Sequence, residues 1–224
     1  MSKKLAFLHT VPSLVGVFND LIEEILPEHV EALHIADEIL LKQVLAEGGV
    51  SPFLYRRVSE HVIAAERAGA DMVMLTCSSI APCIEAARFM VDIPVLRVDE
   101  AMVNKAIATG ARIGVAATAP TTLKPTSEAV HARAKAAGKE VQVDAVLCEG
   151  AYDALFAGDL NTHDRIVRDT IKELMSRNDV VILAQASMAR VADTIPAREQ
   201  VVPVLSSPRL AIEEVRDLIA GRDQ

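Results

Sequence analysis

RIGVAATAPTT at residues 112–122 repeats the pattern of KLAFLHTVPSL at residues 4–14, an offset of 108. Thr10 falls on Thr118, Pro12 on Pro120 and Ser13 on Thr121. The same offset lays DMVMLTCSSIA at 71–81 onto DVVILAQASMA at 179–189, so that Asp71 meets Asp179, Val73 meets Val181, Leu75 meets Leu183 and Ser79 meets Ser187. IPVL at 93–96 meets VPVL at 202–205 one residue further on. Parallel buried strands all look alike in composition, but that does not explain the shared T-x-P-[ST] and D-x-V-x-L-x-x-x-S patterns that run on into the loops. Three blocks in one order at nearly one spacing indicate two copies of one unit related by a pseudo-twofold.

Within each copy, short apolar runs alternate with amphipathic stretches. Strands are expected at Leu5–His9, Val30–Ile35, Met72–Thr76, Pro94–Val98, Arg112–Ala116, Val141–Leu147, Val180–Ala184 and Pro203–Leu205. Most are continuous apolar runs rather than alternating ones, as in parallel strands covered on both faces. Helices are expected after Ser51-Pro52, an N-cap with Pro at the first helical position; after Asp99, ending at Gly110; and after Asn161-Thr162. The fold class is therefore α/β: two pseudo-symmetric lobes, each a mainly parallel sheet flanked by helices, with an active site in the cleft between them. The expected lobes are residues 1–98 plus 208–224 and residues 99–207, with the last helix crossing back to the first lobe.

Composition narrows the function. Of 224 residues, 51% are hydrophobic, enough to bury a sizeable core and to exclude disorder as the main reading. A net charge of -8 with 3% aromatics disfavours a nucleic-acid partner, which needs phosphate-neutralising cations and stacking rings. No run of uncharged apolar residues is long enough to span a membrane, and MSKKLAFLHT lacks the apolar core of a signal peptide. Three cysteines, Cys77, Cys83 and Cys148, are an odd number and too few for a disulfide scaffold; free thiols in a reducing cytoplasm are expected. There is no phosphate-cradling glycine motif, no metal-ligand spacing and hence no expected cofactor.

In open α/β sheets ligands bind beyond the carboxyl ends of the strands. Four such ends carry small hydroxyl residues ahead of a helix: His9-Thr10-Val11-Pro12-Ser13, Thr76-Cys77-Ser78-Ser79, Thr118-Ala119-Pro120-Thr121-Thr122, and Gln185-Ala186-Ser187-Met188. Each could be ordinary helix capping. Two symmetric sets suggest instead that a small carboxylate is held by hydroxyls and backbone N–H groups. Cys77 lies among polar residues at a strand end near a helix N-terminus, the setting of a functional thiol. Cys83 and Cys148 read as core. His9, ending the first strand, could tune that thiol or bind the anion, or be a hydrogen-bonded structural residue. Tyr152 could donate to the acid. RRVSEH, residues 56–61, reads as a solvated helix face.

The T-C-S-S block after a buried strand, its counterpart 108 residues on, and RIGVAATAPTT together resemble the aspartate/glutamate/hydantoin racemase superfamily, over essentially the whole chain. The resemblance implies two pseudo-symmetric α/β lobes, no metal or nucleotide, a small carboxylic acid as substrate and a homo-oligomer, dimer or tetramer. It also implies one cysteine in each lobe, one removing the proton next to the carboxylate and the other delivering one from the opposite face. The first maps onto Cys77. The second maps onto Gln185, a carboxamide that cannot exchange a proton near neutral pH. The reading that follows is an isomerase, racemase or epimerase, in which Cys77, with His9, carries the proton transfer. Thr10, Ser13, Ser78, Ser79, Thr118, Thr121, Thr122, Tyr152, Gln185 and Ser187 would bind the acid. A one-cysteine decarboxylase-like lyase and a non-catalytic acid-binding protein remain as alternatives.

Overall fold

The computed structural model describes residues 3–222; the outermost positions of the expected first lobe, 1–2 and 223–224, lie outside the described residues. The chain divides into two compact units, one running to Val98 and resuming at Pro208, the other Asp99–Ser207.

The first unit contains β1 (Lys3–His9), α1 (Leu14–Ile25), β2 (Val30–Ala36), α2 (Glu38–Glu47), α3 (Pro52–Arg67), β3 (Met72–Leu75), a 3-10 turn (Ser78–Cys83), α4 (Ile84–Arg88) and β4 (Val95–Arg97). The second contains α5 (Glu100–Thr109), β5 (Arg112–Ala117), α6 (Pro120–Ala136), β6 (Gln142–Leu147), α7 (Ala151–Phe156), α8 (Leu160–Met175), β7 (Val180–Leu183), α9 (Ala189–Asp193) and β8 (Val204–Ser206). The last helix, α10 (Ser207–Arg222), returns to the first unit and packs Ala211, Ile212, Val215 and Ile219 into its core.

Both sheets are four-stranded and parallel throughout, in the orders β2-β1-β3-β4 and β6-β5-β7-β8. The register repeats as the sequence does. Leu5 pairs with Met72 and Ile113 with Val180, both shifted by 108. Val73 pairs with Val95 and Val181 with Val204, which absorbs the extra residue seen in the IPVL/VPVL match. Lys4 pairs with Glu31 and Arg112 with Gln142, so the first crossover of the second unit is three residues longer. That length goes into α6, 17 residues against 12 in α1.

Alternation along β1 sends successive side chains to opposite faces. Ala6 and Leu8 meet Leu40 and Val44 of α2 and Leu54, Val58 and Val62 of α3. Leu5 and Phe7 meet Phe18 and Ile22 of α1 together with α10. Because both faces are covered, β3 and β7 are buried at every position. A β3 truncation such as Leu75→Ala therefore leaves a cavity costing about 2–5 kcal/mol.

Two expectations need correction. Helix α8 begins earlier than Asn161-Thr162, because Asp159 is the cap and its side chain accepts from the Thr162 N–H at 3.0 Å. RRVSEH is only half solvated: Arg56 and Glu60 pair at the surface, whereas Arg57 and His61 turn onto Asp37.

Candidate functional site

Each unit gathers hydroxyl residues where its central strands end. In the first unit, Leu8 of β1 and Leu75 of β3 are paired, and the ladder continues one step through Thr76 N–H to Leu8 O at 3.1 Å. Thr10 and Cys77 thus leave adjacent strands at the same level. Cys77 is half-buried and extended (φ -129, ψ 119), capping the 3-10 turn rather than an α-helix. Ser78 and Ser79 follow it into that turn and are buried. Thr10 is 1% exposed, and its hydroxyl has no partner among the described residues. Ser13 sits exposed at the N-cap of α1 without a side-chain capping bond.

His9 is fully buried with both ring nitrogens engaged. Nδ1 lies 3.0 Å from the Thr76 hydroxyl and Nε2 lies 2.9 Å from His34 Nδ1. His34 Nε2 continues to Asn19 Oδ1 at 2.8 Å. The chemistry orients this chain. An amide oxygen only accepts, so His34 Nε2 carries a proton; neutral His34 then accepts from His9, and neutral His9 accepts from Thr76. Burial lowers His9 to a pKa of about 4, assisted by the nearby His34, and burial lowers His34 as well, so both are neutral at pH 7. Thr76 Oγ1 also reaches Leu8 O at 3.0 Å, a second acceptor for its single hydrogen. His9 therefore reaches the Cys77 loop through Thr76, the residue before the thiol.

His34 and Asn19 are the participants that sequence reasoning missed, and Thr76, read there only as a strand-end hydroxyl, proves to be the link to His9. The signal was the parallel register: Phe7 pairs with His34, which puts His34 on the face that His9 shares, stacked with Phe7 at 5.3 Å. At the end of β2, Asp37 donates its N–H to His9 O at 2.9 Å and caps α2 by accepting from Ile39 N–H. Burial pushes its carboxyl up, but hydrogen bonds from Arg57 at 2.5 Å, His61 at 2.7 Å and the Ile39 N–H hold it below the usual carboxylate range.

In the second unit, Thr118 follows β5 and Gln185 follows β7. Gln185 is extended (φ -133, ψ 137) and caps a 3-10 turn (Ala186–Met188), as Cys77 does 108 residues earlier. Its Oε1 accepts from the Thr118 N–H at 2.5 Å and from the Thr118 hydroxyl at 3.0 Å. Thr122 is buried in the first turn of α6, and the Thr121 hydroxyl is buried with no partner among the described residues. Ser187 is half-buried in the 3-10 turn. Tyr152 lies in α7, half-buried, its ring tilted against Phe156 at 4.5 Å between centroids; burial and then the Asp153 charge raise its hydroxyl pKa.

Cys83 and Cys148 are 0% and 1% exposed, and burial pushes the Cys83 thiol to about 12 and the Cys148 thiol upward. Among the described residues no three or more His, Cys, Asp or Glu converge as metal ligands. No helix among them is long and apolar enough to cross a membrane. An open concavity of about 720 Å³ in the second unit is lined by Arg112 and Gln142, the first residues of β5 and β6, and so lies at the amino-terminal end of the strands, opposite from Thr118 and Gln185.

Two parallel α/β units with duplicated strand-end loops define a racemase-type architecture. The chain belongs to the Asp/Glu/Hydantoin racemase family, whose model matches residues 23–215. Solved structures share the fold. A glutamate racemase isoform from Bacillus anthracis aligns with a TM-score of 0.74 at 17% identity, covering 98% of this chain and 82% of that one. An allantoin racemase from Klebsiella pneumoniae aligns with a TM-score of 0.71 at 18% identity, covering 99% and 89%. An aspartate racemase homologue from Pyrococcus horikoshii aligns with a TM-score of 0.66 at 17% identity, covering 98% and 100%. At these identities the likeness establishes the fold alone. Among curated proteins none matches the chain in sequence.

Proposed function

We propose that this chain is a cofactor-independent isomerase of the racemase type, acting on a small carboxylic acid, with Cys77 moving the proton at the carbon next to the carboxylate. The observation that carries this reading is the contrast among the three thiols. Cys83 and Cys148 are buried in apolar surroundings, while Cys77 is half-buried at the carboxyl end of β3. Near it, the Thr10 hydroxyl is buried and unpaired among the described residues.

Removing a proton next to a carboxylate builds negative charge on the carboxyl oxygens, and each fixed donor there contributes about 3–4 kcal/mol. In this reading Thr10, Ser78 and Ser79 supply donors in the first unit, with Ser13 at the edge of the same loop. Thr121, Thr122, Ser187 and Tyr152 are the corresponding groups of the second, where the Thr118 donors are on Gln185. Buried His9 holds Thr76 and the loop that carries the thiol.

The test is incubation in D₂O with small 2-amino, 2-hydroxy and malonate-type acids. Deuterium at the carbon next to the carboxylate, lost in Cys77→Ser, supports the proposal. Release of CO₂ in place of exchange makes the protein a lyase, and binding with neither makes it an acid-binding protein; each overturns the isomerase reading.

A further inference from the structure

The two units repeat in register, and the repeat exposes one chemical difference. Thr118 stands where Thr10 stands and Gln185 where Cys77 stands, each 108 residues on, with matching backbone conformations at the second pair. In the second unit the threonine N–H and hydroxyl both point at one oxygen, Gln185 Oε1, at 2.5 and 3.0 Å. In the first unit the equivalent hydroxyl, on a residue 1% exposed, has no partner among the described residues.

Two donors converging on one sp² oxygen is how a carboxylate oxygen is held. A carboxamide oxygen has the same shape without the charge. We propose that Gln185 is a built-in ligand that fills the carboxylate-holding donors of the second unit, leaving Thr10 and Cys77 as the pair that takes an acid, with Cys77 alone to move the proton on one face of the substrate. The inference rests on the Cys77 reading above and deepens it.

The orientation of Gln185 is fixed by chemistry, because a backbone N–H cannot accept and so must face the oxygen of the amide. An acid seeking Thr118 has to displace that oxygen. An acid seeking Thr10 displaces nothing from its hydroxyl and satisfies a buried group that otherwise has no partner.

The step on one face balances as follows. The Cys77 thiolate takes the proton, the S–H bond forms as C–H breaks, and the electron pair moves onto the carboxylate as an enediolate. The same thiol returns the proton. Return to the same carbon restores the starting enantiomer. Net isomerisation with one acid/base group therefore requires return to a different carbon. That selects acids with a double bond one carbon beyond the reacting centre: the C–H next to the carboxylate breaks, the double bond moves into conjugation and a C–H forms two carbons on.

The experiment measures deuterium uptake and enantiomeric purity together, for each enantiomer of a set of 2-amino and 2-hydroxy acids, and the conversion of 3-butenoate to 2-butenoate. The expected result in the wild type is conversion of 3-butenoate to 2-butenoate, with any uptake into the 2-amino and 2-hydroxy acids retaining their configuration. Wild-type inversion as fast as exchange overturns the one-face inference and leaves the thiol reading standing.

If no acid exchanges, the thiol reading falls, and the Gln185 contact is judged separately by hydrogen exchange at the Thr118 amide. Protection in the wild type and in Gln185→Glu, with at least ~10-fold faster exchange in Gln185→Ala, sustains the built-in ligand. Equal rates in all three overturn it.

Discussion

His9 Nε2 and His34 Nδ1, on neighbouring parallel strands, share a hydrogen bond of 2.9 Å, with Thr76 at one end of the pair and Asn19 at the other. Burial holds His9 at about 4 against an ordinary 6.5, and lowers His34 too. The unfolded chain therefore binds protons near pH 6.5 that the folded chain refuses until about 4. Stability from His9 is complete above about pH 6.5 and falls as the pH drops toward 4, by at most about 1.4 kcal/mol per pH unit, and the His34 shift acts in the same direction. Urea midpoints at pH 7 and pH 5 should differ more in the wild type than in His34→Gln, which removes one titrating ring and keeps an acceptor for His9. Identical pH dependence in the two proteins would show that the pair does not titrate as described.

The three thiols should separate under iodoacetamide. Alkylation needs an accessible thiolate. Cys83 is fully buried and pushed to about 12, so it presents almost no thiolate at pH 8; Cys148 is buried and shifted the same way. Intact mass under native conditions should show one fast adduct, mapping to Cys77, and two further adducts only in denaturant. Fast labelling of Cys83 in the folded protein would contradict its place in the core.

The architecture could be read from the sequence because its signals are local and duplicated. Each of the eight observed strands overlaps an expected one within a residue or two at each end, since continuous apolar runs flanked by caps leave few alternatives. The site was legible less evenly. Cys77 and Thr10 stand out by their loops. The His9–His34–Asn19 chain does not, because it forms between residues 15 and 25 positions apart and depends on β1–β2 register. The bond from Thr118 to Gln185 spans 67 residues; the repeat flagged the positions, but only the fold shows that the amide oxygen is already spoken for. Arg57 and His61 look like solvated charges until α3 is packed beside the end of β2, where Asp37 needs partners.

Replacing the Cys77 thiol tests the chemistry without emptying the core. Cys77 packs at the margin of the first unit's core and is only half-buried, so Cys77→Ser should change stability by less than about 1 kcal/mol. Loss of a positioned acid/base group lowers turnover about 10²–10⁴-fold. Deuterium uptake should fall by that order while the thermal midpoint stays close to wild type. Full uptake by a folded serine variant would remove the thiol from the reaction.

The aspartates that open β3 and β7 make the same clasp twice, and one glycine guards the second. Asp71 Oδ2 accepts from the Lys4 N–H at 2.8 Å, and Asp179 Oδ2 accepts from the Arg112 N–H at 2.8 Å. Asp179 also takes the Arg112 guanidinium at 2.7 Å and the Ala111 N–H at 3.1 Å. Gly110 is extended (φ -165), so it is not required for a left-handed turn. It is required for space: a Cβ there would lie 2.4 Å from the Asp179 Cβ, and both atoms are held by backbone. Gly110→Ala should therefore push Asp179 off the start of β5 and cost about 1–3 kcal/mol. Gly16, inside α1 with nothing within 4 Å of the added carbon, provides the contrast. Gly16→Ala should stabilise by about 0.5–1 kcal/mol through helix propensity. Urea melts of the two variants should move in opposite directions, and a Gly110→Ala midpoint at or above wild type would mean that the clasp has room the structure denies it.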